Sequence, residues 1–143
     1  MSSKASEPIG NSLFGPFFVR ISLGAYFVLA GLTKMDHIDA FVQQVKAFGV
    51  LSNAFATAYG GVLPYMELIA GVLLISGFMT TVASVLASVL LFTYIYAIGL
   101  FPYSKIAFAS NLFNKDIILF CAAISLMYTG PGAFSIDRFR KSG

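Results

Sequence analysis

Charge is what this sequence has least of: of 143 residues only 10% are Asp, Glu, Lys or Arg, against 58% hydrophobic. A soluble domain carries about a quarter charged residues, so this chain lacks the polar surface to dissolve. Cysteine and histidine are nearly absent too, with Cys121 and His37 the single examples of each, and there is no tryptophan. One thiol excludes a disulfide framework and dithiol exchange. One thiol and one imidazole exclude a structural zinc site and a bis-histidine haem. No glycine-rich nucleotide loop occurs, and the nine basic residues lie in termini, loops and one apolar run without forming a basic stripe, which argues against a nucleic-acid partner. A mean hydropathy of +0.85 then sets the class as integral membrane.

What is present is a set of long apolar runs. Four of them, at about 13–34, 60–78, 80–101 and 114–130, come close to the ~20 residues a helix needs to cross a bilayer. The expected fold is therefore all-α: one membrane domain over 13–139 built as a bundle of four transmembrane helices, after a polar tail at 1–12 and before a basic tail at 140–143. The first run follows its tail without a small-residue cleavage site and is read as an uncleaved anchor. Gly77 with Thr80-Thr81 marks a tight turn between the second and third spans, and Pro102 stops the third. Between the first two spans, Ile38, Phe41, Val42, Val45 and Phe48 recur at helical spacing among Asp39, Gln43, Gln44 and Lys46. That pattern predicts an amphipathic helix at the membrane interface, capped by Asp36 or Asp39 and ended by Gly49; the plainer alternative is a surface helix covering the bundle. Arg20 and the Arg138, Arg140, Lys141 group favour both termini on the cytoplasmic side.

Ionisable residues inside apolar runs are costly, so each needs a reason. In the first run Arg20, Gly24, Phe27, Gly31 and Lys34 share one helix face, and in the second Glu67 shares a stripe with Gly71. Small residues permit close helix approach, which assigns Gly24, Gly31, Gly71, Ser84 and Ser88 to packing. A rise of ~1.5 Å per residue brings Glu67, Lys34, Lys115 and Asp116 to one membrane side. Glu67 is expected to pair with Lys34 or Lys115, or to line a wet cavity. Such a group serves either a substrate, proton or headgroup site or a register-fixing ion pair. Arg20 belongs to the opposite half, with Asp137 as its nearest acidic partner. Tyr59, Tyr65, Tyr94, Tyr96 and Tyr103 gather on the Glu67 side, either as an interfacial belt or as the wall of a flat apolar pocket where Lys34 or Tyr94 donates to a ring such as a quinone. Cys121 is read as a small buried hydrophobe.

The order of Arg20 with Leu23-Gly24, Ala30-Gly31-Leu32-Thr33-Lys34, Pro64-x-x-Glu67-Leu68-x-x-Gly71, Gly77-Phe78-x-Thr80, Asn114-Lys115-Asp116, and Gly130-Pro131-Gly132 before Ser135-x-Asp137 resembles the DoxX family of small bacterial membrane proteins. The resemblance covers nearly the whole chain. It implies a four-helix bundle in the bacterial cytoplasmic membrane, associated with redox proteins and, in the DoxD-like group, with thiosulfate:quinone oxidoreductase. The expected role is a non-catalytic subunit of a larger membrane oxidoreductase, with no covalent cofactor, bound lipid or quinone, and redox proteins or a second copy as partners. A quinone-reducing subunit, in which Glu67 moves protons and Lys34 orients the quinone oxygen, is the enzymatic alternative. A small-solute carrier is weaker, because one ionisable level leaves no continuous polar path across the bilayer.

Overall fold

In a computed structural model, which describes residues 9–97 and 115–142, the chain is all-helical. The described residues form α1 (Phe14–Asp36), α2 (Ile38–Ala47), α3 (Asn53–Ser76), α4 (Thr80–Ile95), α5 (Lys115–Thr129) and α6 (Ile136–Lys141), with no strand among them. The expected Pro102 stop, the far ends of the third span and the N-terminal tail, and Tyr103 and Asn114 all lie outside the described residues.

Helices α1, α3, α4 and α5 pack as a bundle: α1 lies along α3, α4 along α5, and the α1–α5 and α3–α4 contacts join the two pairs. Its interior is built from small and medium side chains, including Leu23, Leu63, Ala70, Leu74, Ala83, Ala87, Ala123 and Leu126. Phe27 is also buried there, while apolar groups of similar size to the core leucines, such as Leu29, Val62, Ile69, Val72, Val89 and Ile118, point outward and are exposed. A soluble protein rarely exposes this many Leu, Ile and Val side chains over its surface, so a bundle that turns them outward while its helices meet through Ala, Gly and Ser is arranged for a hydrocarbon surround. Among the described residues two helices, α1 with 23 residues and α3 with 24, are long and apolar enough to cross a membrane, while α4 is apolar but shorter at 16. Of the four expected spans, two are thus matched in full length among the described residues, and the third and fourth extend into positions outside them.

Local chemistry explains most element ends. Gly77 takes the left-handed conformation (φ 66°) after α3, and its N–H and that of Phe78 bond back into the last turn of that helix. Met79 (φ 48°) completes the reversal into α4. Gly77 has a second reason to lack a side chain, because a Cβ there would run into the Arg20 guanidinium and Ser135. Gly49 (φ 65°) follows α2 in the same left-handed region. Two sequence expectations need correction. Neither Asp36 nor Asp39 caps α2: its N-cap is His37, with no side-chain bond. The helix of the second span begins at Asn53, seven residues earlier than position 60, after an extended Ser52. Hydropathy locates where a run becomes continuously apolar, and the polar groups of Asn53, Thr57 and Tyr59 interrupt it ahead of position 60 although the helix has already begun.

α2 lies across α3, with Val42 so close to Gly60 that a Cβ there would approach it to 3.0 Å. Pro64 sits inside α3 one turn further on and removes a backbone donor from that helix. The chain leaving α5 folds back under the bundle: Ala133 N–H bonds to Leu13 O, Asp137 N–H bonds to Gly77 O, and the Asp137 carboxylate accepts from the N–H groups of Met79 and Thr80 at 2.9 and 2.8 Å. Partial burial works against the charge on Asp137, but these two N–H groups, together with the Thr80 hydroxyl and the charge of Lys141, outweigh it and hold its carboxyl below the ordinary range.

Candidate ligand cavity

Lys34 ends the buried face of α1, Glu67 lies at mid-length of α3, and Tyr94 stands in the last turn of α4. The bundle brings their tips together. Lys34 Nζ is 2.5 Å from Glu67 Oε1 and donates to Tyr94 Oη at 2.8 Å, while Tyr94 in turn donates to the same carboxylate oxygen. Glu67 is fully buried and Lys34 about one-fifth exposed. The ammonium also stands over two rings, 4.6 Å from the centroid of Tyr94 and 5.3 Å from that of Phe41 on α2. Cation–π attraction of this kind strengthens as water is removed.

Above this cluster is a cavity of about 620 Å³, walled by Tyr26, Lys34, Phe41, Tyr59, Phe92 and Tyr94, with Lys115 and Asp116 on its α5 side. The volume falls within the ~300–1,000 Å³ of small-molecule pockets, and the mix of aromatic wall with a few convergent polar groups is typical of them. Asp116 is buried and hydrogen-bonds with Tyr26, and Lys115 Nζ lies 5.9 Å from the Tyr26 ring. Lys34 and Glu67 therefore make the direct ion pair, whereas Lys115 and Asp116 join the same cavity through Tyr26. Tyr59 shares a hydrogen bond with Thr93 beside it. Tyr26, Thr93 and Phe41 are site residues that sequence reasoning misses. The signal available for Phe41 is its place on the apolar stripe of α2; Tyr26 and Thr93 have none, since an isolated polar residue in an apolar run reads equally as belt or packing.

At the opposite end of the bundle Arg20 is fully buried, and its Nη2 donates to the carbonyl oxygens of Phe134 at 3.0 Å and Ala133 at 3.2 Å. The expected Arg20–Asp137 ion pair is not formed. The chain following the Gly130-Pro131-Gly132 turn presents two carbonyls to the guanidinium, and Asp137 is drawn instead to the open N-terminus of α4. Gly24 and Gly71 meet across the α1–α3 contact, Gly31 lies against Pro64, and Ser84 and Ser88 are buried in α4. Cys121 is exposed on the outer face of α5, contrary to its reading as a buried group; a thiol is apolar enough to face hydrocarbon. No group of three His, Cys, Asp or Glu residues arranged for a metal occurs among the described residues.

The fold and the buried ion pair under an aromatic cavity together define a small helical membrane protein with a ligand-sized site. Its sequence matches the family model of methylamine utilisation protein MauE over residues 13–109, about two thirds of the chain, and the protein belongs to that family. It is also 30% identical over 122 residues to inner membrane protein YphA of Escherichia coli (strain K12), with 83% of this chain and 85% of that protein covered. No solved structure matches it significantly. The MauE match overturns the DoxX resemblance drawn from the motifs. Small residues at helix contacts, single charges inside apolar runs and Gly/Pro turns recur in membrane bundles generally, so these motifs do not separate one small-bundle family from another. The matched region spans α1 to α4 and so contains Lys34, Glu67 and Tyr94.

Proposed function

We propose that this is an accessory integral membrane protein, crossing the bilayer four times, that serves a methylamine-utilisation type of system by binding and docking and not by turnover. The observation that carries the reading is the Lys34–Glu67–Tyr94 cluster beneath an aromatic cavity, in a chain whose single cysteine and single histidine leave it without redox ligands of its own. The family description supports the system it serves, and the inner-membrane relative supports a place in the cytoplasmic membrane. On this reading electrons are handled by a membrane redox partner. Native mass spectrometry of the gently solubilised protein from its own membranes tests it: a stoichiometric partner subunit is the expected result. A monodisperse protein on its own, together with unchanged membrane redox activities in a deletion strain, overturns it.

One feature favours a more specific second reading, in which the cavity holds a quinone-like ring. Lys34 has three N–H donors and uses two, on Glu67 and Tyr94, so its third can serve a ligand oxygen. The lysine charge is already balanced by Glu67, and Lys115 and Asp116 add one charge of each sign, which suits a neutral acceptor better than an anion. The protein as it stands supplies no electrons to such a ring; it binds and orients it. Titration of the purified protein with decylubiquinone should give saturable quenching of tyrosine emission, and Tyr94→Phe, which loosens the Lys34 ammonium, should weaken it by about five-fold. Linear, non-saturating quenching identical in both proteins removes the ring from the cavity.

A further inference from the structure

Away from the cavity, the corner formed by the α3–α4 turn and α6 combines exposed apolar groups with an excess of positive charge, Arg138, Arg140 and Lys141 against Asp137. Phe134 and Phe139 are 67% and 69% exposed, and Ile136 between them is exposed as well. Interleaved with these are Arg138, Arg140 and Lys141, all on the surface of α6. The corner lies where α4 begins and α5 ends, so it stands at one end of the bundle, the level at which hydrocarbon gives way to headgroups. A groove of about 430 Å³ opens there between the start of α4 and α6, lined by Met79, Thr81, Val82, Pro131, Arg140 and Lys141 beside Asp137. Asp137 keeps its negative charge while it accepts from the Met79 and Thr80 N–H groups, and it lies in the field of Lys141, so the groove carries two cations against one carboxylate and is positive on balance.

We propose that this groove is a binding site for the phosphate headgroup of an anionic phospholipid, with α6 lying in the interface and the acyl chains running down past Met79 and Val82. Basic residues alternating with aromatic and aliphatic ones are what an interfacial helix needs: the apolar side chains enter the acyl boundary while the cations meet the anionic leaflet. Charge complementarity selects the lipid class, and the exposed apolar side chains select a membrane over a soluble anion.

The test compares phosphatidylglycerol with phosphatidylcholine, both offered to the full-length protein in mixed nanodiscs and read as lipid retained after release in native mass spectrometry. Wild type is expected to retain phosphatidylglycerol preferentially, and R140Q/K141Q to lose roughly five-fold in that preference for each charge removed. The charge-preserving R140K/K141R should keep it. R138Q removes a charge of the same helix that does not line the groove, so it should also keep the preference. Equal retention of the two lipids by wild type overturns the proposal, as does a loss in R138Q equal to that in R140Q/K141Q, which would mean a diffuse surface potential. Because these three side chains are exposed, the variants keep the Asp137–α4 anchor, and an unchanged melting temperature verifies that they do.

Discussion

Glu67→Ala is expected to cost the protein about 3–5 kcal/mol, a fall of roughly ten degrees or more in melting temperature in detergent. The magnitude follows from what is left behind. Glu67 is fully buried and one of its oxygens accepts from both Lys34 and Tyr94, so its removal strands a largely enclosed ammonium and a phenol with a single stroke. Glu67→Gln keeps the shape and one acceptor but loses the charge, and should fall between wild type and alanine. The most revealing variant combines Lys34→Met with Glu67→Leu. The second carboxylate oxygen of Glu67 has no hydrogen-bond partner among the described residues, so within them the pair is only partly satisfied. Replacing both charges with apolar groups of similar volume should therefore recover stability to within about 1–2 kcal/mol of wild type, while the single variants remain low. A double variant no better than Glu67→Ala would mean that the ion pair itself, and not the desolvation of an orphaned partner, holds the helices together.

How much of this is legible in the sequence depends on the kind of information each feature carries. The amphipathic register of α2 can be read from Ile38, Phe41, Val42 and Val45 because a helical period repeats within ten residues. The turn at Gly77 can be read because the left-handed conformation is a local demand. Lys34 and Glu67 stand out as lone charges in apolar runs, but their meeting depends on the registers of α1 and α3, which one sequence does not contain. The same limit explains Arg20. Its acidic candidate Asp137 is visible, whereas its actual acceptors are the Ala133 and Phe134 carbonyls, and a backbone oxygen has no signature in side-chain chemistry. The start of α3 at Asn53 and the outward Cys121 escape a sequence reading because apolarity measures what lipid tolerates, and lipid tolerates both a less apolar helix extension and a thiol.

Glycine positions give the sharpest separation between packing and mere composition, and they yield opposite signs within one bundle. A Cβ at Gly24 would come within 2.9 Å of the Gly71 carbonyl, and one at Gly71 within 2.8 Å of the Gly24 carbonyl, so the two glycines face each other backbone to backbone across α1 and α3. Backbone cannot step aside as a flexible side chain can. Gly24→Ala and Gly71→Ala should each cost about 1–3 kcal/mol by forcing the helices apart. Because one separation accommodates both methyl groups, the double variant should cost clearly less than the sum of the singles. Gly61 is the internal control: it lies in α3 with no atom within 4 Å of where a Cβ would stand and no positive φ. There alanine adds helix propensity without a clash and should stabilise by about 0.5–1 kcal/mol. Thermal unfolding of the four proteins, with Gly24→Leu as the extreme that should fail to assemble, reads the whole set. A Gly24→Ala protein as stable as wild type would show that α1 and α3 are not in backbone contact, and the Lys34–Glu67 register that depends on this contact would fall with it.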